Sequence, residues 1–384
     1  MPIASSSMTG LYYVEESEWG VTPAAALNEL RWTGESLAQT TSSEVSNEVR
    51  ADRQVPDVVR TDIETQGDVN IELSYGAYDD LLEGALMSSW SSDLALSASD
   101  LSIDSVDNSI NSTGTDLSVI EPGQWIKIDG YGNAANNGYF QAVSSDTNKV
   151  VLSGGTLATE AAGASIDVGG SMIRNGVLPH SYTLEKVFSD ISEYVAFTGM
   201  RVASVNLSVD TGALITGAFS FQGKRAQVGG STVGTGSPVE APVNPVYNSV
   251  DHVTGLRVGD GSESFEVSSH NFTIDNTLRA QKAVGTLGSI GVGLGTLNVT
   301  GSISAYFTSR SLYEKHLNWE TSSFSYRVED ASGNGYVFTF PALKFTDGNP
   351  VAGGKDQDIM AEMSWTAYRH PSLGYTVQID RFGA

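Results

Sequence analysis

The segment GDVNIELSYGAYDDLLEGAL, residues 67–86, decides the fold, because a strand pattern passes directly into a helix pattern. Val69, Ile71 and Leu73 alternate with polar residues, which is typical of a strand with one buried and one polar face. From Tyr78 onward, apolar residues recur at spacings of three and four, which predicts a short amphipathic helix. Two aspartates stand at its start, where carboxylates stabilise a helix N-terminus.

A second segment repeats this order of a strand and a short helix. It is GSISAYFTSRSLYEKHL, residues 301–317. Each copy is followed by a similar set of strands, SYTLEKV, EYVAF and GAFSF from Ser181 and SFSYRV, GYVFTF and AEMSW from Ser323. Self-similarity at a fixed spacing indicates a duplicated architecture, so the sequence predicts the same β unit twice.

The spacing between the copies indicates an insertion in the first of them. Gly301 lies 234 positions after Gly67, whereas Tyr336 lies 142 positions after Tyr194. The spacing falls by 92 residues, which matches a segment at about 91–177 that has no counterpart in the second copy. A structural pattern shared by chance is the alternative explanation.

These observations predict a mainly β fold class, with two duplicated β-sandwich or barrel units that each carry one short α-helix, plus an inserted small β domain. The polar stretch 40–66 is either a long two-stranded arm or a mobile loop. The predicted domains are an N-terminal arm (1–27), a first unit (28–90 and 178–225), an inserted β decoration domain (91–177), a linker (226–262) and a second unit (263–384).

Composition limits the classes of function. A chain of 384 residues suits two or three domains. The net charge is −24, and residues 1–90 carry 16 acidic and 4 basic side chains. This charge serves either solubility or the repulsion of polyanions, and it disfavours tight binding to duplex DNA, which needs many Lys and Arg contacts to phosphate.

Targeting and redox signals are also informative. The chain has no cysteine, which excludes disulfides, thiolate metal sites and a cysteine nucleophile. The first ten residues have neither a basic start nor an apolar core, so no cleaved signal peptide is expected. No apolar run approaches the about 18 residues of a membrane helix.

No catalytic constellation is recognisable. The five histidines are scattered without zinc-ligand spacing, and neither a serine elbow nor a phosphate-binding loop occurs. The adjacent carboxylates Glu15 and Glu16 are interpreted as solvated charge. We therefore expect no enzyme, no catalytic or metal-binding residues and no cofactor. Alternative functions are a phage or bacterial surface adhesin that binds carbohydrate, with Trp125 and Tyr131 as stacking residues, or a glycosidase.

The strand, helix and later strands of the first unit, GDVNIELSYGAYDDLLEGAL and SYTLEKVFSDISEYVAFTGMRVASVNLSVDTGALITGAFSFQG, resemble the major tail tube proteins of long-tailed, siphovirus-type bacteriophages. The later SFSYRVEDASGNGYVFTFPALKF and DQDIMAEMSWTAY resemble a second copy of that unit. The inserted PGQWIKIDGYGNAANNGYFQAVSSDTNKVVLSG is similar to β domains that decorate such tail proteins.

The resemblance implies a structural virion protein that forms stacked rings around a channel for DNA ejection. Rings of this family are usually six-fold, so two units in one chain imply a trimer with pseudo-six-fold symmetry. The implied partners are other copies of the chain and the tape-measure, baseplate or tip, and terminator proteins. Genomic DNA would pass through the lumen without specific binding, and no membrane insertion is expected. Assembly would occur in the host cytoplasm.

Two sets of residues are candidates for these contacts, and the first set, the lumen-lining candidates, could instead face solvent or another subunit. The lumen-lining candidates are Asn70, Glu72, Ser74, Ser302, Ser304 and Tyr306. The inter-ring candidates are Tyr12, Tyr13, Trp19, Val45, Val49 and Val55.

Overall fold

The computed structural model describes residues 3–259, 265–352 and 354–383, and in these residues the chain is mainly β, as predicted. The two α-helices of the described residues are α1 (Asp79–Leu86) and α2 (Ser311–Leu317), and short 3-10 helices lie at Ser6–Met8 and Ala134–Asn136. The strands are β1 (Thr9–Glu15), β2 (Asn28–Glu29), β3 (Gly34–Glu35), β4 (Ala38–Val45), β5 (Val58–Glu72), β6 (Leu94–Ala98), β7 (Ser102–Asp104), β8 (Ser109–Asn111), β9 (Trp125–Asp129), β10 (Gly138–Asp146), β11 (Lys149–Ser153), β12 (Ile166–Arg174), β13 (Tyr182–Phe188), β14 (Glu193–Asp210), β15 (Thr216–Gly223), β16 (Arg225–Gly229), β17 (Val253–Val258), β18 (Val267–Asp275), β19 (Arg279–Lys282), β20 (Ser289–Gly293), β21 (Asn298–Tyr306), β22 (Ser322–Glu329), β23 (Gly335–Asp347), β24 (Met360–Ala367) and β25 (Gln378–Phe382).

The chain divides into two compact units, and each contains one helix. The first unit is Met1–Met87, Val177–Val246 and Asn271–Thr300. The second unit is Ser88–Gly176, Tyr247–His270 and Gly301–Ala384. The predicted linker boundary at residue 262 lies outside the described residues. In this division, the predicted insert shares a compact unit with the C-terminal strands. Its status as a separate domain stays a prediction.

The first unit is built on an antiparallel meander. Strand β1 pairs with β13, β13 with β14, β14 with β15, and β15 with β5. Strand β16 adds to β14, and β4 and β3 add to β5. The N-terminal segment thus docks on the body as a strand.

Helix α1 packs against this meander through its apolar side. Leu81, Leu82 and Ala85 are buried. Gly84 has no room for a side chain, since a Cβ there would lie 2.9 Å from the Tyr182 ring and 3.0 Å from Val202 Cγ2. The sequence pattern that predicted the helix therefore reflects a close contact with β13 and β14.

The second unit repeats the meander. Strand β17 pairs with β22, β22 with β23, and β23 with β24, while β24 pairs with β21. Strand β25 adds to β23, as β16 adds to β14 in the first unit. Helix α2 buries only Leu312.

Residues 94–174 form a further sheet with its own apolar core. The strands run in the order β6, β12, β9, β10, β11, β8 and β7. The core includes Ile126, Ile128, Phe140 and Val150. Strand β12 also pairs with β25, from Ser171 opposite Arg381 to Arg174 opposite Gln378.

The strand boundaries follow the spacing of the sequence copies. Strand β5 ends at Glu72 and β21 at Tyr306, 234 positions later. Strand β14 begins at Glu193 and β23 at Gly335, 142 positions later. Both meanders therefore have the same strand order, and these two pairs of strand boundaries keep the spacing of the sequence copies.

Candidate assembly surfaces

The stretch 40–66 forms a two-stranded arm. Strands β4 and β5 pair without interruption from Ala38 opposite Gln66 to Val45 opposite Val58, apart from one bulge. Every residue of β4 is exposed or half-buried. We call residues 38–66 the β4–β5 arm, and residues 46–57 its tip.

The β4–β5 arm presents apolar side chains to solvent. The inter-ring candidates Val45, Val49 and Val55 are all exposed, and Val49 makes no burying contact at all, with a relative exposure of 101%. Val58 and Val59 are exposed as well. A two-stranded ribbon with apolar residues in water is only marginally stable, so this arm is suited to packing on another surface.

The base of the arm is held within the first unit, where Thr65 and Gln66 pair with β15 and the Gln39 side chain accepts from the Ala226 N–H at 2.8 Å. Lys282 of β19 contacts Asp62, and its Nζ lies 2.7 Å from Glu64 Oε1. The hydrogen bond from Lys282 lowers the pKa of the Asp62 carboxyl. Both partners of these ion pairs are partly exposed, so solvent screening keeps their contribution to stability small. The ion pairs position the arm more than they stabilise it.

The aromatic candidates of the N-terminal segment are used inside the first unit. Tyr13 is buried, and its hydroxyl donates to Asp80 Oδ2 at 2.9 Å. Trp19 Nε1 donates to the Gly199 carbonyl at 2.9 Å, and Lys224 lies over the indole ring. Tyr12 is half-buried. Of the three, Tyr12 and Trp19 retain some surface for contacts with another copy.

A buried carboxylate fixes this segment. Glu16 accepts hydrogen bonds from the backbone N–H groups of Gly20 and Gly199 at 2.7 and 2.8 Å. The hydroxyls of Ser181 and Thr183 donate to it at 3.0 and 2.8 Å. A buried charge is stable only when it is satisfied in this way. The sequence interpretation of Glu16 as solvated charge is therefore wrong.

The lumen candidates of the first unit lie on the polar face of β5. Asn70 is exposed and stands opposite Ala218, and Glu72 is half-buried. Ser74 is fully buried, because β5 ends at Glu72 and the alternation does not continue. The same face carries a groove of about 600 Å³ whose lining includes Asp68 and Ser220.

The lumen candidates of the second unit lie on β21. Ser302 and Ser304 are half-buried, and Tyr306 is exposed. The neighbouring strand β24 alternates in the same manner, with Ser364 and Thr366 exposed between buried residues.

The residues proposed for sugar stacking are not accessible. Trp125 has a relative exposure of 5%, and its Nε1 donates to Thr339 Oγ1 at 3.0 Å. Tyr131 is buried to the same extent. Neither ring has a free face for a carbohydrate, so the prediction that these two residues stack on a sugar is wrong.

The described residues hold no group of three or more His, Asp or Glu side chains that could bind a metal ion. His270 is buried, and desolvation lowers its pKa to about 3, so the ring is neutral at physiological pH. His180 Nδ1 lies 2.6 Å from Glu15 Oε1. Among the described helices, none has both the length and the apolar character required to span a bilayer.

The described surfaces that remain open to a partner are the exposed β4–β5 arm and the polar faces of β5 and β21. A family model described as phage tail tube protein matches residues 6–367. The chain belongs to this family, and it is a component of the phage tail. A comparison with curated proteins found no match.

Proposed function

We propose that this chain forms trimeric rings with pseudo-six-fold symmetry, which stack into the tail tube of a siphovirus-type phage and form the conduit for DNA ejection. The observation that carries the proposal is the repeated meander, with strand ends 234 and 142 positions apart, within a tail tube family member. Three chains with two such units supply six similar positions around a ring.

The surfaces that are exposed in the single chain are the candidates for contacts between copies. Heterologous contacts close into rings when the rotation is suitable, and exposed strands are a liability unless another chain covers them. The β4–β5 arm is such a surface, and its exposed valines Val45, Val49 and Val55 are the contact residues we favour. Tyr12 and Trp19 are secondary candidates.

The channel wall requires a face that does not retain DNA. The polar faces of β5 and β21 meet this requirement, with Asn70 and Glu72 in the first unit and Ser302, Ser304 and Tyr306 in the second. We omit Ser74, which is fully buried. Without Lys or Arg contacts to phosphate, little counterion release occurs and DNA has no bound state that would slow its passage.

Further partners are part of the proposal. A tube of defined length needs a tape-measure protein, a terminator at one end and a baseplate or tip at the other. We propose that residues 91–177 decorate the outside of the tube, because a domain with its own core is too large for a DNA channel.

Electron microscopy of the purified protein tests the proposal. Rings or tubes with threefold rotational symmetry and one chain for every two pseudo-equivalent positions are expected. Rings of six chains would overturn the trimer but leave the tube. Monomers that form neither rings nor tubes, alone or with phage tail tips, would overturn the tube.

A further inference from the structure

The first unit contains a small cavity where the segment after β16 crosses its sheet. The volume is about 200 Å³. Its lining comes from strands β1, β13 and β14 and from the Gly-rich stretch 232–238, and it consists of Tyr12, Leu27, Glu185, Val187, Tyr194, Thr232, Gly234, Gly236 and Pro238. A cavity of about 150 Å³ can bind a molecule the size of benzene, so this one has room for a small organic ligand.

A buried carboxylate stands in this lining. Glu185 has a relative exposure of 0%. The Thr232 hydroxyl donates to its Oε2 at 2.6 Å, and the Val233 N–H donates to its Oε1 at 2.7 Å. A carboxylate can accept about four hydrogen bonds, so these two leave capacity for a further donor. No Lys, Arg or His of the described residues forms an ion pair with it, and the adjacent Lys186 pairs instead with Glu35 at 2.7 Å. A buried charge without a counter-ion favours the binding of a cation.

Two tyrosines accompany the carboxylate. Tyr12 stands opposite Glu185, and Tyr194 stands opposite Val187, two positions further along the same strand. Opposite residues of an antiparallel pair share a face of the sheet, so both rings lie on the side that carries the carboxylate. Burial raises the pKa of the Tyr12 hydroxyl, and the charges of Glu29 and Glu185 add to this effect. Aromatic rings and carboxylates both attract organic cations.

The strand pairing does not itself require an acid at this position. The pairs β13–β14 and β22–β23 each contain one register shift, which begins at Tyr182 in the first unit and at Ser322 in the second. Glu185 and Ser325 each lie three residues beyond that point. The second meander therefore forms the same pairing with a neutral side chain, and the buried charge is a property of the first unit alone.

We propose that this cavity binds an alkylammonium group, with Glu185 as its charged partner and Tyr12 and Tyr194 as its aromatic walls. The ammonium group donates to the carboxylate, and a short alkyl chain packs on Leu27 and Val187. The group belongs either to a free aliphatic amine or to a Lys side chain of another copy of the chain. The site does not depend on the proposed ring, because every lining residue belongs to the first unit of one chain.

Titration of the full chain with n-butylammonium chloride, followed by saturation-transfer NMR of the ligand, tests the site. Saturable binding is expected. The uncharged n-butanol should bind at least about tenfold more weakly, because a hydrogen bond between charged groups is stronger than a neutral one. Glu185→Gln should weaken butylammonium binding by a similar factor.

The matched control is Glu193→Gln, which removes an exposed acid outside the cavity and should bind butylammonium as the natural chain does. Absence of saturable binding by the natural chain, or equal affinity of the two Gln variants, would overturn the proposal. Tyr194→Leu decides the matter if Glu185→Gln does not fold, since it keeps the carboxylate and removes one ring. It should weaken binding about threefold or more, and an unchanged affinity would contradict the proposed site.

Assembly of the natural chain distinguishes the two sources of the ammonium group. If butylammonium slows ring formation and sodium chloride at the same concentration does not, the natural occupant is a Lys side chain of another copy. If neither slows it, the occupant is a free amine. Both results support the site. A chain that binds butylammonium but forms no rings would overturn the proposed function and leave the site standing.

Discussion

The backbone N–H of Trp125 donates a hydrogen bond of 3.0 Å to the carboxyl of Asp380, although 255 positions separate the two residues. The side-chain amide of Gln378 donates to the other carboxyl oxygen at 2.7 Å. Asp380 is fully buried, and desolvation raises its pKa to about 8 despite these bonds and the nearby Arg174. The carboxyl is therefore mostly protonated at neutral pH.

This buried acid predicts a dependence of stability on pH. The folded chain keeps a proton that the unfolded chain, with an aspartate pKa near 3.8, releases above that pH. The stabilising contribution is thus complete below pH 3.8 and is lost as the pH rises through about 8. The free energy of unfolding should therefore fall as the pH rises between these two values.

Asp380→Asn should remove that slope, since the amide stays neutral. Urea unfolding of both chains from pH 5 to 9 measures the difference in the free energy of unfolding. The free energy of unfolding of the variant, relative to that of the natural chain, should increase as the pH rises. At the acid end it should equal that of the natural chain or be lower. The exposed Asp167 supplies the control, Asp167→Asn, which should follow the natural chain. Parallel curves for all three chains would contradict the prediction.

Gly84 is predicted to resist even the smallest side chain. Alanine at this position improves helix propensity by about 1 kcal/mol, but its Cβ collides with Tyr182 and Val202. Overpacking of this kind costs about 1–3 kcal/mol, so Gly84→Ala should be destabilising overall. The midpoint of urea unfolding measures the change.

The control for that substitution is Gly230→Ala, because a Cβ at Gly230 meets nothing within 4 Å. It should leave the unfolding midpoint unchanged. An increase in stability for Gly84→Ala would mean that α1 can move away from β13 and β14, contrary to the packing described.

The carboxylate of Glu16 is predicted to hold the N-terminal segment on the first unit. Glu16→Ala removes the acceptor of the Gly20 and Gly199 N–H groups and of the Ser181 hydroxyl, and each buried unsatisfied donor costs about 1–3 kcal/mol. We expect a loss of at least about 2 kcal/mol in the free energy of unfolding and faster hydrogen exchange at the amides of Gly20 and Gly199. The exposed Glu18 gives the control, Glu18→Ala, with neither effect. Unchanged amide exchange in Glu16→Ala would disprove the anchoring role.

Positive charge on the polar face of β5 is predicted to convert a passive wall into a binding site. In assembled tubes, Asn70→Lys combined with Glu72→Lys should retain short duplex DNA, and the retention should fall as salt rises. Gel retardation measures it, and phage that carry the variant should eject DNA more slowly. Val106→Lys is the control and should match the natural tubes. Equal DNA retention by all three would remove this face from the channel.

Local pattern was sufficient for the elements that decide the fold. The alternation in β5 and the spacing of three and four in α1 each report burial on one side of a single element. The same alternation wrongly predicts that Ser74 faces outward. Alternation holds only within a strand, and β5 ends two residues earlier, at Glu72.

Pairing over long sequence distances could not be inferred in the same way. Strand β1 pairs with β13, with Tyr13 opposite Leu184, so the burial of Tyr13 depends on a partner about 170 residues away. Sequence pattern predicts an accessible Trp125 because its neighbours in sequence give no sign of Asp380 and Thr339, which lie far along the chain. Neither partner leaves a periodic signal near the aromatic residue.

The pairing of β12 with β25 has a consequence for synthesis of the chain. Arg174 and Gln378, which meet in this pair, are 204 positions apart, so translation produces β12 long before β25 exists. During that interval the nascent polypeptide exposes unpaired backbone donors and acceptors along this strand, and another nascent chain on the same polysome can pair with them. Crowded infected cells would therefore favour host chaperones that cover this strand edge until the partner strand has been synthesised.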